Sequence, residues 1–142
     1  MDALAPDISA TNEEGQSVRL ASFRDRSALV LFFFPRAFTP GCTAESCGFR
    51  DQSAGYQERG YQVLGVSRDT PEQLKTFKQA YGLPYHLLSD PDGQLAKALG
   101  VAPGARQTVV IGRDGRIERV FTQVAAKTHP ADLLAELESV HK

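Results

Sequence analysis

The run Leu29-Val30-Leu31-Phe32-Phe33-Phe34-Pro35-Arg36-Ala37-Phe38-Thr39-Pro40-Gly41-Cys42 decides how the chain folds. Its first six residues are apolar without a polar break, which predicts a strand covered on both faces and therefore interior to its sheet. Pro35 has no backbone N–H and stops the strand. A loop with two further breakers follows, and Cys42 comes where a helix is predicted to start. There the unpaired backbone N–H groups and the positive end of the helix dipole favour a thiolate. A reactive cysteine is the expectation. An inert cysteine packed as a small hydrophobe is the plainer alternative.

Working outward, Cys42, Glu45, Phe49 and Tyr56 recur on one side of a predicted helix that Gly60 would stop. Tyr61 to Ser67 reads as the next strand, and Asp69-Thr70-Pro71-Glu72 as a cap opening a helix to about Tyr81, closed by Gly82. Leu83 to Ser89 is predicted as a short strand, Asp90-Pro91-Asp92-Gly93 as a turn, and Gln94 to Leu99 as a short helix. The loop Val101 to Ala105 delivers Arg106 to the start of a strand over Gln107 to Ile111. Arg113-Asp114-Gly115-Arg116 is read as a hairpin turn in which Asp-Gly supplies the positive φ angles, with Ile117 to Gln123 returning antiparallel. Pro130 to Val140 carries Leu133, Leu134 and Leu137 at helical spacing, and His129 simply leads into it. Before all of these, alternation around Asn12-Glu13-Glu14-Gly15 predicts an N-terminal β-hairpin. The order predicts one α/β domain over residues 1–142 with a thioredoxin-like fold: a mixed central β-sheet with helices on both faces.

At 142 residues the chain can bury a core without disulfide staples. Its charges nearly balance, 16 Lys and Arg against 17 Asp and Glu, with no basic block, which argues against a nucleic-acid partner. Met1 to Asp7 has neither a cationic start nor an apolar core, and no later apolar run approaches the ~18 residues of a membrane span. A cytoplasmic protein without a membrane partner is expected. In a reducing compartment its two cysteines read as a redox pair rather than a structural bridge. His86, His129 and His141 are scattered, and neither they nor the cysteines have the spacing of a zinc site, so no metal and no cofactor is assigned.

Pro35-x-x-x-Thr39-x-x-Cys42 resembles the active-site signature of the peroxiredoxins, thiol peroxidases built on a thioredoxin fold. The resemblance extends to Ala5-Pro6-Asp7, Gly65-Val66-Ser67, Leu88-Ser89-Asp90 and Arg106-x-Thr108-Val109-Val110-Ile111. Cys47 with Gly48-Phe49-Arg50-Asp51 is similar to the bacterioferritin-comigratory, or Q-type, subgroup, although Arg36-Ala37-Phe38 departs from the polar triplet expected there. The resemblance implies a peroxidase that reduces hydrogen peroxide and organic hydroperoxides and is recycled by thioredoxin or a similar dithiol. It also implies a monomer or a weakly associating dimer.

Residue by residue, it makes Cys42 the peroxidatic nucleophile and Cys47 the resolving cysteine, paired with it in an intramolecular disulfide. Thr39 would turn its hydroxyl to the sulfur and the bound peroxide; the plainer reading, a helix cap, is compatible with this because both use the same site. Pro35 would shield the sulfur from water. Arg106 would stabilise the thiolate and polarise the peroxide bond, and Glu45 would hold a guanidinium, either that of Arg106 or of another arginine. The plainer readings are a surface arginine and a first-turn acid favoured by the dipole. In an intact helix, residues five apart have Cα atoms roughly 8.6 Å apart, beyond the ~7 Å a disulfide tolerates, so a Cys42–Cys47 bridge needs local unwinding. Gly48 is expected to weaken the helix there, and alanine in its place to stabilise it by up to about 1 kcal/mol. Two rivals stand beside this reading: a disulfide oxidoreductase, whose C-x-x-C the chain lacks, and a thiol redox sensor.

Overall fold

The apolar run becomes β3 (Ala28–Phe33), buried at every residue and interior to a seven-stranded mixed sheet. The computed structural model describes residues 4–102 and 105–140; Met1 to Ala3, Pro103 and Gly104 of the predicted loop, and the last two residues lie outside it. The other strands are β1 (Ser9–Asn12), β2 (Ser17–Arg19), β4 (Tyr61–Ser67), β5 (Leu87–Ser89), β6 (Gln107–Ile111) and β7 (Ile117–Phe121), in the order β2-β1-β5-β4-β3-β6-β7. β3 runs parallel to β4 and antiparallel to β6, while the β1–β2 hairpin extends the sheet by pairing with β5.

Alternation along β3 divides the core in two. Val30, Phe32 and Phe34 point to one face, against α1 (Pro40–Asp51), α2 (Ser53–Glu58), α3 (Pro71–Tyr81) and α5 (His129–Val140). Leu29, Leu31 and Phe33 point to the other, where α4 (Gln94–Ala98) and a 3-10 turn (Leu20–Phe23) cover them. Helices thus lie on both faces. Burying each of these large side chains contributes about 1.5–3 kcal/mol.

Local chemistry accounts for the sharpest boundaries. Thr70 caps α3 in a reciprocal capping box with Gln73, Pro71 occupies its first turn, and Gly82 ends it in the left-handed conformation at φ 60°. Where tertiary packing intervenes, the elements depart from expectation. The predicted helix from Cys42 to Gly60 begins at Pro40 and breaks at Gln52 (φ −97°, ψ 4°), between Asp51 and Ser53, two residue types of low helix propensity. The predicted strand over Leu83 to Ser89 shrinks to Leu87–Ser89, because the Leu83 N–H still closes α3 on the Lys78 carbonyl and Pro84 has no N–H for a ladder. In the β6–β7 hairpin Gly115 alone has positive φ; Asp114 instead accepts from the Arg116 N–H. β7 ends at Phe121 rather than Gln123.

Glu13, in the turn of the N-terminal hairpin, is buried, where its carboxylate accepts from the Leu87 N–H and Lys78 Nζ. His129 is likewise more than a lead-in. It is buried, its Nε2 lies 3.0 Å from the Thr108 hydroxyl, and its ring meets those of Phe49 and Phe121 edge-on.

Gly48 reverses the expectation drawn from helix propensity. It sits where α5 crosses α1, and a Cβ there would lie 2.8 Å from Pro130 Cγ and 3.2 Å from Pro130 Cβ. Both atoms belong to a ring that cannot rotate away. Overpacking of this kind costs about 1–3 kcal/mol, which exceeds the propensity gain of about 1 kcal/mol. Gly48→Ala should therefore lower the unfolding free energy, read as a reduced urea midpoint at unchanged slope. A midpoint at or above that of the parent protein would return Gly48 to the role of a helix weakener.

Candidate active site

Three chain segments meet at the carboxyl end of β3. Phe34 continues the ladder by donating to the Val66 carbonyl, and Pro35 then turns the chain out to the surface. The loop that follows is held from below: the Ala37 N–H donates to Asp69 Oδ2 at 2.8 Å, and the same oxygen accepts from the Ser67 hydroxyl at 2.7 Å. Phe38 takes a left-handed conformation at φ 67°, a strained choice for an aromatic residue. Its half-exposed ring packs on Phe77 and Tyr81 of α3.

Thr39 is the N-cap residue of α1, with Pro40 at the first helical position. Cys42 is thus the third helical residue, fully buried, among backbone N–H groups that have no partner within the helix. The Thr39 hydroxyl does not cap the helix. It donates to the Arg36 carbonyl at 2.8 Å, tightening the loop, so its proton is directed away from the sulfur and its lone pairs are left to accept.

Arg106 reaches the site because β6 runs opposite to β3. Phe33 pairs with Gln107, so the residue before Gln107 lies beside the point where β3 ends. The guanidinium forks between two groups of α1. Nη2 donates to Cys42 Sγ at 3.3 Å, and Nη1 donates to Glu45 Oε1 at 2.8 Å. Of the two arginine readings for Glu45, the structure selects Arg106. Glu45 is completely buried, and burial pushes its carboxyl up to about 7 against the opposing pull of Arg106. Desolvation works against the Arg106 cation as well. The hydrogen bonds and charges of Cys42 and Glu45 more than offset it and hold its pKa above the usual arginine range.

The neighbouring Gly41 is needed for this grip: a Cβ there would lie 2.9 Å from Arg106 Nη2. In the sequence Gly41 is only a breaker before a helix, and its second task depends on the strand register that locates Arg106. Asp69, in the sequence part of a cap, likewise gains a second task here.

Cys47 lies one and a half turns further along α1. It is half-buried, and both thiols are free. Pro35 is exposed at the rim. Among the described residues no group of three or more His, Cys, Asp or Glu is placed to hold a metal ion, and no helix is long and apolar enough to cross a membrane. Chemically, a buried sulfur with a guanidinium donor and a helix N-terminus around it can act as a nucleophile towards a small electrophile whose developing negative charge the same donors would receive.

The sequence profile of the AhpC/TSA family matches residues 1–120. Peroxiredoxin bcp1 of Schizosaccharomyces pombe is 50% identical over 67% of the chain, a stretch that is 49% of that protein's length. Peroxiredoxin Bcp of Bacillus subtilis is 33% identical, with 96% of this chain and 93% of that protein covered. Among solved structures, peroxidoxin BcpB from Mycobacterium tuberculosis superposes with a TM-score of 0.90 at 29% identity, covering 99% of this chain and 97% of that one. Fold, site and relatives agree: the chain belongs to the AhpC/TSA family, and within it to the Bcp-type peroxiredoxins, which are thiol-dependent peroxidases.

Proposed function

We propose that the chain reduces hydrogen peroxide and organic hydroperoxides through Cys42, resolves the product with Cys47, and is recycled by thioredoxin or a similar dithiol in a reducing cytoplasmic compartment. The observation that carries this reading is the Arg106 fork, which joins Cys42 Sγ and Glu45 in one buried arrangement.

In the first step the Cys42 thiolate attacks the terminal oxygen of the hydroperoxide. An S–O bond forms, the O–O bond breaks, and the alcohol or water leaves with a proton, so sulfur is oxidised to the sulfenic acid while the peroxide is reduced. Negative charge moves from sulfur to the departing oxygen. Arg106, already donating to the sulfur, can follow that charge with its second N–H without reorganising. Glu45 fixes the fork, and its raised pKa limits the negative charge set against the thiolate. Thr39 accepts from the peroxide hydroxyl with the lone pairs its bond to Arg36 leaves unused. Pro35 keeps the rim dry, and Gly41 leaves room for the guanidinium.

In the second step the Cys47 thiol attacks the sulfenic sulfur. The S–S bond forms, the S–O bond breaks, and the oxygen leaves as water with the thiol proton. Because α1 is helical through both cysteines, its first turns unwind for this step. Two electrons from a dithiol then restore both thiols. Every group used before the reductant acts belongs to one chain, which suits a monomer or weak dimer.

The cycle sets three expectations. Cys42→Ser should lack peroxidase activity, and Arg106→Ala should lose about 10²- to 10³-fold in the peroxide step with the fold intact, measured by competition kinetics. Full activity of Arg106→Ala would remove the arginine from the mechanism, and insulin reduction without peroxide would favour a disulfide oxidoreductase. Cys47→Ser should consume one equivalent of peroxide, stall under thioredoxin-linked turnover and overoxidise with further peroxide; wild-type turnover would clear Cys47 of the resolving role. The third concerns pH. The Glu45 pKa is raised in the fold, so its contribution to stability is complete below about pH 4.5 and is lost as pH rises through about 7. Glu45→Gln should remove this slope from melts taken across that window. An unchanged slope would show that Glu45 titrates as an ordinary carboxylate.

A further inference from the structure

Helix α1 has contradictory duties if Cys47 resolves Cys42, and its surroundings show both sides of the conflict. Three of the four buried side-chain atoms that have no hydrogen-bond partner among the described residues lie in its first two turns: Thr43 Oγ1, Glu45 Oε2 and Ser46 Oγ. Each is desolvated in the helix and would regain water on unwinding, so together they bias the segment towards opening. Gly48 adds to that bias through its low helix propensity, but its place in the fold is fixed by the crossing with α5.

Against the bias stand the Arg106 fork on the Cys42 and Glu45 side chains and, on the helix backbone itself, a buried bond from outside the helix. The Tyr85 hydroxyl donates to the Ser46 carbonyl at 2.6 Å. Tyr85 lies in the irregular segment between α3 and β5, is almost wholly buried, and rests edge-on against Phe32 of β3, with ring centroids 5.6 Å apart. The core strand therefore fixes the ring. Ser46 immediately precedes Cys47, so the segment cannot carry Cys47 to Cys42 without withdrawing its carbonyl from this donor. The hydroxyl would then be buried and unpaired.

We propose that Tyr85 is the latch of the resolving step: its hydroxyl holds the α1 backbone at Ser46, opposes the bias of the unpartnered oxygens, and so sets how long oxidised Cys42 waits before Cys47 reaches it. Tyr85 is a positioning residue, with no part in the attack on peroxide. The inference rests on the proposed Cys42–Cys47 disulfide.

The test uses Tyr85→Phe, which deletes only the hydroxyl, and Ser46→Ala, which deletes one unpartnered oxygen and favours the helix. Reduced protein is mixed with hydrogen peroxide, quenched at intervals and followed by mass spectrometry, giving the rates of sulfenic acid and disulfide formation separately. A peroxide series then gives the dose that overoxidises half of Cys42. In Tyr85→Phe, disulfide formation should be about two- to tenfold faster and the overoxidising dose correspondingly higher. In Ser46→Ala both should move the opposite way. Sulfenic acid formation should match the parent in each. General loosening of the fold would not send the two variants in opposite directions. The latch is overturned if Tyr85→Phe forms the disulfide no faster than the parent, or if both variants shift the same way. Should Tyr85→Phe fail to fold, Tyr85→Leu, which also lacks the hydroxyl, takes its place, and disulfide formation no faster than the parent's overturns the proposal. If the parent protein forms no intramolecular disulfide at all, the resolving role of Cys47 fails first and the latch with it.

Discussion

A guanidinium can grip a buried sulfur only if one chain segment delivers it where another delivers the thiol, and both must arrive without opening the core to water. The antiparallel pairing of β6 with β3 meets this condition. It places the start of one strand beside the end of the other, so that Arg106 and the α1 N-terminus converge from opposite directions. Much else follows from that register. Gly41 must lack a side chain, Glu45 must be buried to hold the fork from behind, and the loop between Pro35 and Thr39 must be pinned by Asp69 to cover the junction.

How far the sequence reveals this arrangement depends on the distance over which each feature is determined. α3 is legible almost to the residue because its boundaries are chemical and local: a threonine cap, a proline in the first turn and a glycine at the end. β3 and β4 are legible because an unbroken apolar run has few other uses. The stretches around Cys42 and Arg106 single out a thiol and an arginine, but that Arg106 is the partner of Glu45, 61 residues away, appears only with the strand register. Gly48 shows the opposite failure. Read alone it is a weak point in a helix; in the fold it is a contact surface for Pro130, and local propensity has no access to that. The Thr39 hydroxyl was misplaced for a similar reason, since a loop carbonyl only three residues back competes successfully for its proton.

Phe32 shows how the apolar core and the polar site share one scaffold. Its ring stacks on Phe49 of α1 at 4.5 Å and carries Tyr85 on its edge, while Phe49 in turn touches Tyr56 and His129. Aromatic contacts of this kind add about 0.5–1.5 kcal/mol each beyond the area they bury. They fasten the second half of α1 to the sheet and to α5, and the first half carries the unpartnered oxygens. The aromatic anchors of the helix thus gather at Phe49, while its first two turns are held by polar bonds from Arg106 and Tyr85 and carry the unpartnered oxygens. A segment can then rearrange near the thiol while the core behind it stays packed.

The tyrosine placement has one more consequence. The chain has no tryptophan and four tyrosines, so its intrinsic ultraviolet emission and near-ultraviolet dichroism come chiefly from phenol rings. Two of those phenols end on backbone carbonyls of helices, Tyr85 on Ser46 of α1 and Tyr56 on Pro130 of α5. Both hydroxyls are buried and resist ionisation, as burial drives each pKa well above the usual tyrosine range. The molecule therefore carries its own optical gauge on the α1 backbone, readable without a dye, an introduced tryptophan or a label on either thiol.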